Sequence, residues 1–157
     1  MTPDEAAALA KRLHEGQLDK VGRPYWRHVE EVASAVRDAR GSGDQIVAAY
    51  LHDSVEDTEA TIESLAAAGV QRPALEMIRA LTHDEGEPRA AYMERVLACE
   101  EAILVKQCDL WSNLTPSRLV LLDPATEARL LAKYAADITR VARAKALLAR
   151  PEVAKQA

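Results

Sequence analysis

Apolar residues recur at intervals of three and four positions through most of the chain, a spacing typical of amphipathic α-helices. The first helix begins at Thr2-Pro3-Asp4-Glu5, where a capping threonine, a proline and a glutamate form a helix-start signal. Stretches with glycine or proline separate the later apolar stripes, and none shows the alternation expected of a β-strand. The pattern therefore predicts an all-α bundle of seven or eight helices.

The third predicted helix runs from Gln45 to about Val55, with Asp44 as its N-cap. Ile46, Val47 and their neighbours make it apolar almost all round, so we expect it to lie at the centre of the bundle. A rigid central helix is a good platform for a functional site, because packing fixes the side chains that it carries.

Four polar side chains lie at the C-terminal end of this helix, namely His52, Asp53, Glu56 and Asp57. Residues four apart share a helix face, which places His52 above Glu56 and Asp53 above Asp57. Imidazoles and carboxylates beside apolar side chains are costly to desolvate unless something compensates, and a bound cation is the usual compensation. A solvated acidic helix end is the alternative interpretation.

The last predicted helix begins at Asp123-Pro124 and ends at Pro151. Its apolar stripe consists of Leu131, Tyr134, Ile138, Val141 and Leu148. With no long linker or internal repeat, we expect residues 1–150 to form a single domain, followed by a short tail at 151–157.

Composition excludes several classes of partner. The net charge of −5 gives no electrostatic basis for binding a nucleic-acid polymer, and no apolar run approaches the ~20 residues needed to span a membrane. Cys99 and Cys108 match no zinc spacing and fit free thiols in a reducing compartment, so we expect a cytoplasmic protein. A homo-oligomer is compatible with the sequence.

Two further residues can join the polar stretch to form a metal site. His28 lies on the first turn of the second helix, and Asp109 lies one turn before Asn113. His28, His52, Asp53 and Asp109 would give a nitrogen and oxygen ligand set that suits an octahedral divalent metal such as manganese or iron. Taken singly, His28 also fits a packed or capping histidine, and Asp109 a helix-end acid.

The remaining polar residues near these ligands suit phosphate chemistry. A metal with open positions activates bound water, and Glu56 or Asp57 can take a proton from that water or orient it. Lys20 and Arg23, in the glycine-containing loop before the second helix, can hold phosphates.

The order His28, His52-Asp53, Asp109 resembles the HD-domain superfamily of metal-dependent phosphohydrolases. More narrowly, the stretch from His52 to Thr58 is similar to the His-Asp-x-x-Glu-Asp-Thr motif of the alarmone hydrolases, which include the hydrolase half of RelA/SpoT-type proteins. The blocks His14-x-Gly16-Gln17 with Lys20-x-Gly22-x-Pro24-Tyr25, and Val105-Lys106 with Asp109 and Asn113, also look like this family's.

The resemblance implies an all-helical fold, one Mn²⁺ and hydrolysis of the 3′-pyrophosphate of (p)ppGpp to GDP or GTP and pyrophosphate. It implies that His28, His52, Asp53 and Asp109 are the metal ligands and that Glu56 and Asp57 handle the water and its protons. Lys20 and Asn113 would contact a small phosphorylated nucleotide, with Tyr134 joining them from the last helix.

The chain departs from that family at two positions of the loop. Asp19 stands where the alarmone hydrolases usually carry an arginine that helps to hold the guanine nucleotide, and an acid there would repel phosphate. Val21 replaces a small polar residue. Two alternatives therefore stay open: a broader HD-domain nucleotide phosphatase or phosphodiesterase, and a nucleotide-binding module that has lost catalysis.

Overall fold

The computed structural model of the protein describes residues 1–148, without the side chain of Ser117. Within this range there are eight helices of six or more residues and two single turns, and no β-strand, which confirms the predicted all-α fold. They are α1 (Pro3–Leu13), α2 (Trp26–Asp38), α3 (Gly43–Leu51), α4 (Ser54–Asp57), α5 (Ile62–Ala67), α6 (Arg72–Leu81), α7 (Arg89–Ala98), α8 (Glu100–Asn113), α9 (Pro116–Leu119) and α10 (Pro124–Leu148). None of these helices combines the length and the apolar character that crossing a bilayer requires.

Helix α3 lies at the centre of the bundle, as the sequence predicts. It packs against α1, α2, α6 and α8, and every residue from Ile46 to Leu51 is buried. A helix that is apolar on all sides can only be stable when other helices cover all of it. The polar residues at its C-terminal end are therefore held by a rigid element.

The predicted boundaries of α3 are wrong at both ends. Ser42, and not Asp44, is the N-cap, because its extended backbone lets its hydroxyl accept from the Gln45 N–H in a capping box. The helix ends at Leu51 instead of continuing to Val55. The His52 Nδ1 atom lies 2.9 Å from the carbonyl oxygen of Ala49, which would otherwise accept the next helical hydrogen bond.

The segment between α1 and α2 forms a tight loop that leads into the site. Gly16 and Gly22 both have φ of +78°, which glycine adopts without steric cost. Leu18 and Pro24 pair as an isolated antiparallel bridge, and the Asp19 N–H donates to the carbonyl of Arg23 at 2.8 Å. These contacts fix the loop that carries Lys20.

Helix α10 buries Tyr134 and Val141 as predicted but differs from the predicted stripe elsewhere. Leu131 and Leu148 are 42% and 52% exposed, so their assignment to the buried face is wrong. The buried positions include Leu130 and the fully buried Asp137, whose carboxylate pairs with Arg89 at 2.7 Å. The single-turn helix α9 was not predicted, and the predicted helix end at Pro151 and tail at 151–157 lie outside the described residues.

Candidate functional site

Two imidazoles and two carboxylates converge where α2, the end of α3, the start of α4 and α8 meet. His52 Nε2 lies 3.0 Å from Asp53 Oδ2 and 3.7 Å from Asp109 Oδ1. His28 Nε2 lies 3.3 Å from Asp109 Oδ1 and 3.7 Å from Asp53 Oδ2. The structure thus brings together all four side chains that the sequence predicts as metal ligands, with His28, His52 and Asp109 buried and Asp53 partly buried.

The donor atoms of this cluster fit a divalent cation. His52 Nδ1 lies 2.9 Å from the Ala49 carbonyl, an acceptor, so the proton of the neutral ring belongs on Nδ1, and Nε2 is the atom that would bind a metal ion. That Nε2 atom is buried and has no hydrogen-bond partner among the described residues, although Asp53 lies 3.0 Å away. One ligand atom each from His28, His52 and Asp109 lies within 4.8 Å of the others, so the cluster could hold a metal ion.

A second set of side chains orients two of these four residues, Asp53 and His28. The Tyr25 hydroxyl donates to Asp53 Oδ2 at 2.6 Å, and burial together with Asp53 raises the pKa of Tyr25, which keeps it a donor. His28 Nδ1 lies 3.0 Å from Ser112 Oγ, and that hydroxyl donates to Glu31 at 3.0 Å. Partners of this kind fix the ring orientation of a metal-binding histidine.

Asp109 is the most strongly compensated carboxylate of the cluster. Lys106 Nζ lies 2.7 Å from its Oδ2 atom, and the Asn113 side-chain amide donates to its Oδ1 atom at 2.6 Å. Burial by itself would raise the pKa of Asp109, but Lys106 and the two imidazoles hold it well below the ordinary value. Asp109 is therefore ionised across the physiological pH range.

Burial and neighbouring charges also have opposite effects on Asp53 and His52, and in both residues the neighbouring charges dominate. Burial opposes ionisation of Asp53, but the adjacent His52 lowers its pKa to about 2. Burial would lower the pKa of His52, but Asp53 and then Asp109 hold it well above the ordinary value. A metal ion must displace the His52 proton, so metal affinity is expected to fall as the pH decreases.

Glu56 and Asp57, the predicted proton-handling residues, lie on α4 and line the same cavity as Asp53 and Asp109. Glu56 accepts the His83 N–H at 3.0 Å, and burial raises its pKa above the ordinary value. Asp57 accepts from the Gln17 side chain at 3.1 Å. Although α3 stops before them, both carboxylates remain on the cavity side.

The cavity beside the cluster has a volume of about 310 Å³ and is lined, within residues 1–148, by five cations as well as by five carboxylates. Lys20, Asn113 and Tyr134, which the sequence predicts as substrate-binding, all line it. The side chain of the fourth predicted residue, Arg23, is not among the lining groups. The other lining cations are Arg89, Lys106, Arg118 and Lys133.

Lys133 shows how strongly positive this side of the cavity is. Burial lowers its pKa, and so does repulsion from Arg89, Lys106 and Lys20. Arg89 is paired with Asp137 and Lys106 with Asp109, whereas no ion pair to Lys20 or Lys133 is formed within residues 1–148. Unpaired cations around a cavity in an acidic protein favour an anionic ligand.

Several residues of the site have roles that sequence reasoning missed. Two of them, Ser112 and Arg118, contact His28 from 84 and 90 positions away in the chain, and Ser112 in turn donates to Glu31. No periodicity connects these residues. The Lys106–Asp109 pair has a local signal, since residues three apart on a helix are neighbours. His14 is buried, and its Nδ1 atom lies 2.6 Å from Gln17 Oε1.

Sequence and structure comparisons relate this chain to known proteins. A family model for the HD domain matches residues 6–107. A probable guanosine-3′,5′-bis(diphosphate) 3′-pyrophosphohydrolase of Synechocystis sp. is 44% identical over 62 residues, 40% of this chain and 8% of that protein. A guanosine-3′,5′-bis(diphosphate) 3′-pyrophosphohydrolase of Aquifex aeolicus is 31% identical over 117 residues, 69% of this chain and 17% of that protein. The matches thus span only a small part of these curated relatives.

A solved structure of a metazoan ortholog of SpoT, described as hydrolysing ppGpp and having a role in starvation responses, shares the fold. The superposition has a TM-score of 0.61 at 19% sequence identity and covers 94% of this chain and 95% of that one. At this level of identity the likeness concerns the helical architecture.

Proposed function

The chain belongs to the HD-domain family, and from this membership we propose that it is a metal-dependent phosphohydrolase that removes the 3′-pyrophosphate of (p)ppGpp. The observation that carries the proposal is the cluster of His28, His52, Asp53 and Asp109, with imidazole and carboxylate atoms 3.0 to 3.7 Å apart beside a cavity lined by cations. The names of the curated relatives support the substrate class.

We propose that these four residues hold one Mn²⁺, since two nitrogen and two oxygen ligands leave positions for water in an octahedral ion. Such an ion supplies a Lewis acid that activates water and polarises a phosphoryl oxygen. Tyr25 and Ser112 keep Asp53 and His28 in orientation through the hydrogen bonds described above. The ionised state of both aspartates favours a cation at this point.

Glu56 is the proposed proton acceptor for the attacking water. Its raised pKa, which results from burial, makes it a stronger base than a solvated glutamate while it remains able to ionise at neutral pH. Asp57, held by Gln17, is the proposed second carboxylate that orients the water. The His83 N–H fixes one Glu56 oxygen and leaves the other for the proton.

The substrate's phosphates are proposed to lie along the cationic side of the cavity. Lys20 and Lys133 form no ion pair within residues 1–148, so they are available to an anion. Asn113 and Tyr134 would contact the nucleotide, and Arg23 remains a predicted contact from the loop. Burial raises the pKa of Tyr134 to about 12, so its hydroxyl remains a hydrogen-bond donor at neutral pH.

The test is product analysis after incubation of the purified protein with ppGpp and Mn²⁺. Release of GDP and pyrophosphate, dependent on Mn²⁺, is the expected result. Glu56→Gln should lose this activity, whereas Glu63→Gln, the same change at an exposed position of α5, should retain it. No release of pyrophosphate by the wild-type protein would overturn the proposed substrate.

A second candidate is hydrolysis of another phosphorylated nucleotide by the same site. Leu18, Asp19 and Val21 line the cavity at the end where the alarmone hydrolases usually carry an arginine, and this favours a different base. A panel of purine and pyrimidine nucleotides with Mn²⁺ would separate the two candidates. Faster turnover of a nucleotide without guanine would favour the second.

We further propose a cytoplasmic location, because both cysteines are free thiols, which suits a reducing compartment. The partner is a small phosphorylated nucleotide in both candidate functions.

A further inference from the structure

Asp19, the residue that departs from the alarmone hydrolase pattern, forms a buried ion pair with Arg118 of α9. Arg118 Nη2 donates to Asp19 Oδ2 at 3.0 Å, and the two side chains are only 12% and 6% exposed. The other oxygen, Oδ1, accepts the N–H groups of Val21 and Arg23 at 3.0 and 2.9 Å. Asp19 is thus held by Arg118 and by two backbone N–H groups, which reduces the repulsion of phosphate expected from an acid at this position.

The second amino group of Arg118 reaches the proposed metal site. Its Nη1 atom lies 3.0 Å from His28 Nδ1. A guanidinium has only donors, so in this contact Nδ1 accepts with its lone pair and a neutral ring carries its proton on Nε2. A protonated Nε2 cannot bind a metal ion.

Ser112 can form a hydrogen bond of the opposite direction with the same atom, His28 Nδ1. Its Oγ atom also lies 3.0 Å from His28 Nδ1, and its own proton is directed to Glu31. The serine oxygen can therefore accept a proton from Nδ1, which leaves the Nε2 lone pair for a metal ion. One Nδ1 atom cannot both accept from Arg118 and donate to Ser112, so the two partners exclude each other.

We propose that Arg118 is a positioning residue that opposes metal binding while it is bonded to His28 and assists anion binding once it is released. Arg118 lines the cavity, and its bond to Asp19 does not depend on His28, so the released Nη1 group stays at the cavity. Metal binding and the binding of a phosphate group are thereby coupled. This inference rests on the proposed metal site but not on the identity of the nucleotide.

The coupling predicts effects of opposite sign on two ligands. Arg118→Met removes the competitor for His28, so Mn²⁺ should bind about tenfold more tightly, as expected for loss of one charged hydrogen bond. The same variant should bind inorganic phosphate more weakly in its Mn²⁺-loaded form. Ser112→Ala should weaken Mn²⁺ binding by ~10-fold or more, because it removes the partner that favours the metal-binding ring.

Titration calorimetry of the full chain tests this, first with Mn²⁺ alone and then with inorganic phosphate added to the Mn²⁺-loaded protein. Arg118→Lys is the matched variant, because it keeps the charge but lacks the planar group that spans Asp19 and His28. It should also bind Mn²⁺ more tightly, and it carries the test if Arg118→Met does not fold.

Three results would overturn the inference. In the first, Arg118→Met binds Mn²⁺ more tightly but Arg118→Lys binds it like the wild type. This would mean that the positive charge at position 118, and not the bond to His28, weakens Mn²⁺ binding. Weaker or unchanged Mn²⁺ binding in both variants would mean that Arg118 supports the structure and does not compete for His28. A wild-type protein that binds no divalent metal would overturn the metal site itself, and this inference with it.

Discussion

Replacement of Lys106 by methionine is predicted to destabilise the protein and, at the same time, to increase the stabilisation that Mn²⁺ provides. Lys106 and Asp109 are 2.7 Å apart, and both side chains are 7% exposed. At an effective dielectric constant of ~20, this distance corresponds to a gross attraction of about 6 kcal/mol, most of which offsets the cost of burying both charges.

The net loss of stability in Lys106→Met depends on the groups that still contact Asp109. Removing one partner of a buried pair usually costs about 3–5 kcal/mol, because the other charge stays buried. Asn113 still donates to Asp109 at 2.6 Å, and His28 remains 3.3 Å away, so we expect the lower end, about 3 kcal/mol. For a chain of this length that corresponds to a melting temperature lower by roughly 6–12 °C.

Thermal unfolding followed by circular dichroism, with and without saturating Mn²⁺, measures both effects. The metal should raise the melting temperature of Lys106→Met more than that of the wild type, because the cation compensates the charge that lysine no longer neutralises. Lys133→Met is the control, and it should cost less than ~0.5 kcal/mol, since Lys133 forms no ion pair within residues 1–148 and is repelled by neighbouring cations. A Lys106→Met protein as stable as the wild type would refute the reasoning.

Three further predictions concern the proton acceptor, a positioning hydroxyl and the last helix. Glu56→Gln should lower kcat by ~10²-fold or more while leaving Mn²⁺ affinity within about twofold, as product assays and calorimetry would show. Glu56 must be ionised to accept a proton, and burial raises its pKa. The wild-type rate should therefore begin to fall, as the pH decreases, at a pH above the ordinary glutamate pKa. The same pH–rate profile in Glu56→Gln would contradict this role. Tyr25→Phe removes the 2.6 Å hydrogen bond to Asp53 and should weaken Mn²⁺ binding by ~10-fold; equal affinities in calorimetry would argue against a positioning role. Asp137→Asn leaves Arg89 without its buried partner and should cost about 1–3 kcal/mol in urea unfolding; a smaller loss would mean that solvent compensates the arginine.

Apolar periodicity predicts most of the fold because most helices bury one regular stripe. On α10 it is only partly right, because Tyr134 and Val141 are buried as predicted, whereas Leu131 is exposed and Leu130 is buried. The buried face of α10 also contains Asp137, a charged residue that is fully buried and bonded to Arg89. A hydrophobic pattern treats such a residue as solvent-exposed.

The candidate ligands could be identified from sequence because His52 and Asp53 are adjacent and the family motif fixes the rest. The end of α3 at Leu51 could not be predicted, since the apolar pattern continues to Val55 and does not show the contact between the His52 ring and the Ala49 carbonyl. The Asp19–Arg118 pair joins residues 99 positions apart, so nothing local in the sequence indicates that the acid is compensated.

The most direct test of the central claim is the metal content of the protein after equilibrium dialysis against Mn²⁺. One Mn²⁺ per wild-type chain is predicted, with binding abolished in His52→Ala and in Asp109→Asn and retained in Glu63→Gln. Wild-type protein that takes up no Mn²⁺, or binding that survives both ligand substitutions, would contradict the proposed metal site.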